Sequence, residues 1–477
     1  MSADEPANPG ELREDVPLRP NDSVGFSPKF GGIRLIIASF ALLTIAVTVA
    51  LATQIYYGDF EIVPHGSVAT DSQECSRIGT DTLKAGGNAV DAAIAAAFCL
   101  SVINQHTTGL DAGGVMMMYD YKKSRSVGNS PPPPIVVDFS EAMTQAKVPQ
   151  LVKGLAFLHD RFGSLAWNQL VYPAIELARF GFSIPVSLVA AVETTGASEL
   201  FPFLEAGKNY TLPKLASYLD RIADGNVTTY FPDGKKSDIA TREASFFAIE
   251  DNVIYTPSLE TASSMFNYLM LQIGSHNMTE ILSNPDLMNK KARNLRKVLE
   301  HKIFTAPTSN IAVIDKDDFY VSLITGLHVL LGSQQFSPDG YILNEPASIP
   351  SSPKGFSSFL PIIIAQHYTC GQRIVLSCGE MSGALQVIEY LSEQSQQSPS
   401  QLVTALESPR LRLLNFQTLA FEKVHIPRFD PVVIQALSGL DSADAPEPYP
   451  TCNAVQQIGD SLSSHSDSRG GGIASRF

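Results

Sequence analysis

One stretch of the chain is apolar on every side. Leu35 to Thr53 (LIIASFALLTIAVTVALAT) carries no charge, and at 1.5 Å per residue such a run spans a bilayer core of about 30 Å. A buried core helix would keep an amphipathic stripe, which this run lacks. Residues 35–55 therefore read as a transmembrane signal-anchor in contact with membrane lipid. A cleaved signal peptide is the rival reading, disfavoured by the length of the run and of the leader before it. Lys29 and Arg34 precede the run, Tyr56 and Tyr57 follow it, and Gln54 to Gln73 contain no Lys or Arg. The positive-inside rule then places residues 1–34 in the cytosol and the remainder on the extracellular or lumenal side, a single-pass type II topology.

Beyond the anchor the periodicity changes repeatedly. Residues 1–34 form a polar, Pro-rich tail and 56–65 a short stalk, so the globular part starts near Gly66. Ser72–Ala85 reads as a helix stopped by Gly86 and Gly87, and Ala89–Ile103 as a second, almost wholly apolar and buried helix. Asn104–Gly114 is a Gly/Thr-rich turn in which Asp111 caps backbone amides. Val115–Tyr119 is a strand, Pro131–Pro134 an exposed loop, and Leu151–Gly163 and Trp167–Phe180 are helices. The middle, roughly 190–300, is helix-prone and carries no motif. From Thr308 the pattern turns to strands. Asn310–Ile314, an acidic turn at Asp315–Asp318, and Phe319–Ile324 form a hairpin, and Ile362–Ala365 and Arg373–Cys378 repeat the theme. Helices followed by strands indicate an α+β layered core.

Composition removes several classes of function. With 44% hydrophobic and 17% charged residues the chain is globular rather than disordered. Its net charge of −14 argues against a nucleic-acid partner, which requires a basic face. The five cysteines contain no CxxC, so neither a zinc site nor any other metal or cofactor is indicated. Cys75 and Cys99 bracket the two-helix segment, and an antiparallel helix pair brings such ends together. Outside the cytosol they would form a disulfide, against the alternative of two buried thiols. Cys370, Cys378 and Cys452 follow no spacing rule. Sequons at Asn209, Asn226 and Asn277 are candidate glycosylation sites on the same side as the globular part.

Four collinear blocks carry a resemblance. Cys75–Gly114 (CSRIGTDTLKAGGNAVDAAIAAAFCLSVINQHTTGLDAGG), Phe157–Ile184, Glu407–Leu411 (ESPRL) and Ser466–Gly472 (SDSRGGG) resemble the γ-glutamyltransferases, or glutathione hydrolases, in a divergent branch. The resemblance implies an N-terminal nucleophile hydrolase with an αββα sandwich. Such a proenzyme cuts itself before a threonine into a heterodimer of its own two fragments. The threonine then attacks the γ-glutamyl amide of glutathione or related peptides, with its freed amine as base, and the acyl group passes to water or to an amino-acid or dipeptide acceptor. Oxyanion donors and a polar clamp for the glutamyl α-amine and α-carboxylate complete the chemistry.

The resemblance places the nucleophile at Thr308, at the head of Thr308-Ser309-Asn310-Ile311-Ala312-Val313, dividing the chain into a large-subunit region 66–307 and a small-subunit region 308–477. By composition alone Thr308 would simply begin a hairpin. Ser357 and Ser358 match a Ser-Ser motif that contacts the glutamyl carboxylate, although the segment also reads as a Ser-rich turn. Glu345 is the one candidate for the α-amine. The departures are several. Ser140, before Glu141, stands where the family has a carboxylate-binding arginine, a charge-assisted contact of about 1.5–3 kcal/mol. A supporting threonine falls on Gly326 and an asparagine on His328. The oxyanion element falls on Glu380-Met381, where a carboxylate would repel the developing charge. Pro307 precedes the scissile bond and restricts its approach. A catalytically impaired, membrane-anchored binding protein is the alternative function.

Overall fold

The structure, a computed structural model, describes residues 32–57, 65–126, 132–140, 148–225, 239–249, 251–258, 266, 284–300, 306–344, 359–366, 371–392, 399–415, 417–422, 434 and 441–477. The chain divides into two compact units, Met1–Ile62 and Val63–Phe477. The first contains helix α1 (Gly32–Tyr57), whose segment Gly32–Thr53 has a mean hydropathy of 2.6 and is long and apolar enough to cross a membrane. Its hydroxyls bond back to carbonyls one turn earlier, as Thr44 does to Phe40 and Thr48 to Thr44, which leaves none of these polar groups facing an apolar solvent.

In the second unit, helices α2 (Gln73–Lys84) and α3 (Ala89–Ile103) lie antiparallel and are joined by a disulfide between Cys75 and Cys99. Gly86 takes φ +94°, the left-handed geometry that ends α2. Asn88 then caps α3 by accepting from the amides of Val90 and Asp91, while the Asp91 carboxylate accepts from the amide of Asn88. All fifteen residues of α3 are buried, as its unbroken apolar sequence requires. Helices α4 (Tyr121–Ser126), α5 (Gln150–Phe162), α6 (Trp167–Phe180), α7 (Val186–Thr195) and α8 (Pro213–Asp224) follow in chain order. Further on come α9 (Pro285–Glu300), α10 (Met381–Ser392) and α11 (Pro399–Glu407).

Two sheets form the centre. The first has the order β18 (Ser475–Arg476), β1 (Ser67–Thr70), β9 (Thr308–Ile314), β10 (Phe319–Gly326), β2 (Gly113–Asp120), β3 (Ile135–Asp138), β6 (Ala240–Glu243). The second has the order β17 (Ser461–His465), β16 (Cys452–Ile458), β12 (Gln372–Cys378), β11 (Leu360–Ala365), β8 (Asn252–Thr256), β7 (Ser245–Ile249). Strands β4 (Phe182–Ser183) and β5 (Asn209–Tyr210) pair separately, and β13 (Leu411–Leu413), β14 (Thr418–Phe421) and β15 (Asp441–Asp444) make a small third sheet.

Alternation along the strands sorts the side chains into layers. Ala312 and Ile314 of β9 point between the two large sheets and meet Ile363, Val375 and Val455. Ile311 and Val313 point the other way, into the layer of α2, α3, α5 and α6. On the far side, α10 and α11 pack against β11, β12 and β16 through residues such as Ile362, Leu376, Ala384, Leu402 and Ala454. The result is an αββα sandwich, in which Ser322 Oγ also donates across the sheets to the Leu376 carbonyl at 3.0 Å.

The middle of the chain holds the expected helices, α8 and α9 among them, and also strands that the sequence reading did not predict. It supplies β6, β7 and β8 within 190–300, followed by α9. These strands lie at or near sheet edges, where half-exposed faces admit polar residues and weaken the apolar signal. Arrival of β1 and the late strands in the same sheet also overturns the order of helices first and strands second.

Candidate active site around Thr308

Thr308 is the first residue of β9 and is 9% exposed. It sits in a row across the sheet, paired with Gly326 of β10, which is paired in turn with Gly113 of β2. By alternation the Thr308 side chain shares the face of Asn310 and Ala312 and points toward the second sheet. There it meets Gly379, at the end of β12. A Cβ built on Gly379 would fall well under 3.0 Å from Thr308 Oγ1, so only a glycine admits this approach. Gly326 has a similar role. A Cβ there would collide with the Pro307 carbonyl oxygen and approach Thr308 Cγ2 to 3.0 Å. A second threonine at this position could not coexist with the Pro307 carbonyl as placed.

Helix α10 begins at Met381, two residues after Gly379. Gly379 donates its own amide to the Thr451 carbonyl at 2.9 Å. The amides of Glu380 and Met381, at the open end of the helix, have no acceptor among the described residues. They are donors at the positive pole of α10. The Glu380 carboxylate stands 3.7 Å from Arg412 Nε. Arg412 thus stands beside the carboxylate for which the sequence predicts repulsion of an oxyanion.

Behind Thr308 lies a buried polar network that sequence reasoning missed. Asp71, just after β1, accepts from Thr451 Oγ1 at 2.7 Å, Asn453 Nδ2 at 2.6 Å and the Asn310 amide at 2.8 Å. Asn310 Nδ2 donates to Thr451 Oγ1 at 2.7 Å, and Asn453 Nδ2 also reaches the Asn310 carbonyl at 2.9 Å. Burial pushes the Asp71 carboxyl up to about 6, even though these donors favour its charged form. The Gly-rich tail closes over this network, since a Cβ on Gly472 would strike the Thr70 carbonyl and one on Gly470 would press on Asp71.

The tail is held by a second network. Asp467 receives Arg410 Nη2 at 2.7 Å, Arg469 Nη1 at 3.0 Å and the Cys452 amide at 2.9 Å. The ESPRL and SDSRGGG blocks thus meet through Arg410 and Asp467. Cys378 and Cys452, for which spacing gave no logic, are joined in a disulfide.

On the opposite face of β9, Ser309 Oγ is 2.8 Å from Thr107 Oγ1, and Thr325 Oγ1 is 2.5 Å from Thr108 Oγ1. These bonds tie the Gly/Thr-rich turn under the strand pair. His106 in that turn is buried and held neutral, its pKa pushed down to about 3 by burial, so it is not a base at neutral pH. Asp111 accepts from the amide of Asn344 at 3.0 Å. His328 is exposed.

Ser140 lies at the end of β3, and a Cβ on Gly113 would come 2.5 Å from the Ser140 carbonyl oxygen. Three strand spacings, about 14 Å, separate its strand from that of Thr308. Its hydroxyl donates to Asp138 at 2.6 Å. Glu345, Ser357 and Ser358 lie outside the described residues, as do Asn226 and Asn277. Asn209 is exposed on β5. Among the described residues no cluster of metal-ligating side chains occurs.

A profile described as Gamma-glutamyltranspeptidase matches residues 75–238. The chain is 24% identical over 405 residues to glutathione hydrolase 7 of Homo sapiens, covering 66% of this chain and 61% of that one. It is 24% identical over 399 residues to glutathione hydrolase proenzyme 1 of Schizosaccharomyces pombe, covering 62% and 63%. A shorter match, 34% over 168 residues and 33% of each chain, is to glutathione hydrolase 6 of Bos taurus. The chain thus spans about three fifths of the length of the curated relatives it matches over most of its own. Its fold resembles that of cephalosporin acylase from Bacillus halodurans, with a TM-score of 0.68 and 17% identity over 86% of this chain and 96% of that one. The profile match over residues 75–238 and the collinear relatives make this chain similar to the gamma-glutamyltranspeptidases, and its sandwich shares the fold of the acylase.

Proposed function

We propose that the chain is a membrane-anchored glutathione hydrolase and γ-glutamyl transferase that uses Thr308 as its nucleophile. The observation that carries this reading is the seating of Thr308 Oγ1 against Gly379 at the start of α10, beside the Glu380 and Met381 amides.

In the first step Thr308 Oγ attacks the Pro307 carbonyl carbon. The C–N bond breaks, an ester forms, and water hydrolyses it to a Pro307 carboxylate and a free Thr308 amine. Fragments 1–307 and 308–477 then stay together as a heterodimer. In the second step Oγ attacks the γ-glutamyl carbonyl, and its proton passes to the Thr308 amine and on to the departing amine. The helix-start amides receive the oxyanion, an interaction worth about 3–4 kcal/mol per donor. Water releases glutamate from the acyl-threonine, or an amino acid or dipeptide takes the acyl group. Asp71, Asn310, Thr451 and Asn453 position β9 against β16. Glu345, Ser357 and Ser358 are proposed substrate contacts, with Ser140 at the rim. The uncharged run and its one-sided Lys29 and Arg34 support a type II topology with this site outside the cytosol.

Glutamate release from glutathione by the purified full chain, compared with Thr308→Ala, tests the reading. Turnover that disappears in the variant supports it. Turnover that persists in Thr308→Ala overturns it, and an inert, uncut wild type returns the chain to the binding-protein alternative.

A further inference from the structure

Far from Thr308, the sandwich holds a guanidinium that faces no carboxylate. Arg373, the second residue of β12, is 5% exposed and sits in a corner of aromatic rings. Its Cζ stands 4.3 Å from the ring centre of Tyr121 and 6.0 Å from that of Tyr320, and those two rings meet at 83°. Arg373 Nε donates to the Tyr320 hydroxyl at 2.7 Å. That hydroxyl donates in turn to Gln457 Oε1 at 2.6 Å, which leaves a lone pair for the arginine. Among the described residues Arg373 makes no ion pair, and its side chain makes no other hydrogen bond. Its terminal nitrogens, Nη1 and Nη2, are not among the atoms sealed from solvent. The Asp318 carboxylate lies 3.4 Å from the Tyr320 hydroxyl but does not reach the guanidinium. Tyr320 and Gly326, the partner of Thr308, are near opposite ends of β10, about 20 Å apart.

We infer that Arg373, Tyr121 and Tyr320 form a binding site for a small oxyanion of the carboxylate or phosphate type, separate from the site at Thr308. A charge buried to this degree is ordinarily paired. The tyrosine rings attract the cation and fix its plane, but they supply no counter-charge. With Nε taken by Tyr320, the fork that remains is the end-on pair Nη1 and Nη2, which matches two oxygens of one anion. A shielded contact of this kind is only weakly screened by salt. Asp318 sets the upper limit on affinity, because its carboxylate beside the same hydroxyl repels an incoming anion. Asp318 has φ +58°, a left-handed geometry that asparagine also accepts, so its charge can be removed without moving the turn.

Calorimetric titration of the full chain with inorganic phosphate, acetate and chloride, each in the same dilute buffer, tests the site without any reference to turnover. Saturable binding of one equivalent of phosphate or acetate is expected, tighter than that of chloride, which has no second oxygen for the fork. Tighter acetate would assign a carboxylate ligand, and tighter phosphate a phosphate one. Arg373→Gln should weaken the preferred anion at least tenfold, the scale of a lost charge-assisted contact. Arg373→Lys, which keeps the charge without the fork, should fall between the two. Asp318→Asn should tighten binding severalfold, and it decides the matter if the Arg373 variants fold poorly. No saturable binding of either oxyanion, chloride bound as tightly as both, or unchanged affinity in Arg373→Gln would overturn the inference. Unchanged or weaker binding in Asp318→Asn would overturn it as well.

Discussion

Cys378 and Cys452 stand directly opposite one another on β12 and β16 and are joined by a disulfide. The next residue on one strand is Gly379, which abuts Thr308. The residue before Cys452 is Thr451, whose hydroxyl bonds Asp71 and whose carbonyl holds the Gly379 amide. The cross-link therefore braces both groups behind the nucleophile. Cys75–Cys99, by contrast, joins two helices in the outer layer.

Removing the two bridges should separate stability from activity. Each alanine pair, Cys378→Ala with Cys452→Ala or Cys75→Ala with Cys99→Ala, should lower the free energy of unfolding by about 3–4 kcal/mol. Only the first should also cut glutathione turnover at a temperature where both variants remain folded. Equal activity losses per unit of destabilisation would contradict the brace.

Gly379→Ala adds one methyl group where Thr308 Oγ1 now lies. Turnover should fall about 100-fold, the scale for a nucleophile displaced by an ångström. Gly383→Ala is the control, because its Cβ would meet Cys452 Sγ at an ordinary 3.5 Å. Similar kinetics for the two variants would mean that Gly379 does not set the position of Thr308.

Asp71 gives a pH signature of definite sign. Its folded pKa, about 6, lies above the ordinary 3.8 because burial disfavours the charge. Between these values the folded state holds the proton that the unfolded state releases, so stability falls as pH rises from about 4 to 6 and is level above. The full difference is about 3 kcal/mol. Unfolding free energies of wild type minus those of Asp71→Asn, taken across this range, should decline with pH. A difference that rises with pH would show that the donors outweigh burial.

The hairpin around Asp315–Asp318, the helix pair before and after Gly86, and the helices at 150–162 and 167–180 were legible in the sequence because each is local: period, cap and turn lie within twenty residues. Strand β1 was not, since Ser67–Thr70 is four residues with no alternation of its own and is defined by pairing with Ile311–Ile314. Asp71 escaped notice for the same reason, because its donors lie more than two hundred residues away. The Glu380–Arg412 and Arg410–Asp467 contacts also join separate elements, and no spacing rule predicts them. Glycines at 326 and 379 read as losses against the family pattern at the first and as an unremarked neighbour at the second. Their meaning is steric and needs the partner strand.

Topology has its own test. With the globular unit outside the cytosol, enzymatic removal of N-linked glycans should lower the apparent mass in steps. The steps should disappear one by one in Asn209→Gln, Asn226→Gln and Asn277→Gln. No shift, together with protection from protease on intact cells, would place the unit inside.

The central claim, that Thr308 is a working nucleophile, is most directly tested by intact-mass measurement of the denatured full chain. The account predicts slow conversion, limited by Pro307, into fragments 1–307 and 308–477, with Thr308 at the new amino terminus and no conversion in Thr308→Ala. A chain that stays whole while releasing glutamate from glutathione, or one cut elsewhere in both proteins, would contradict it.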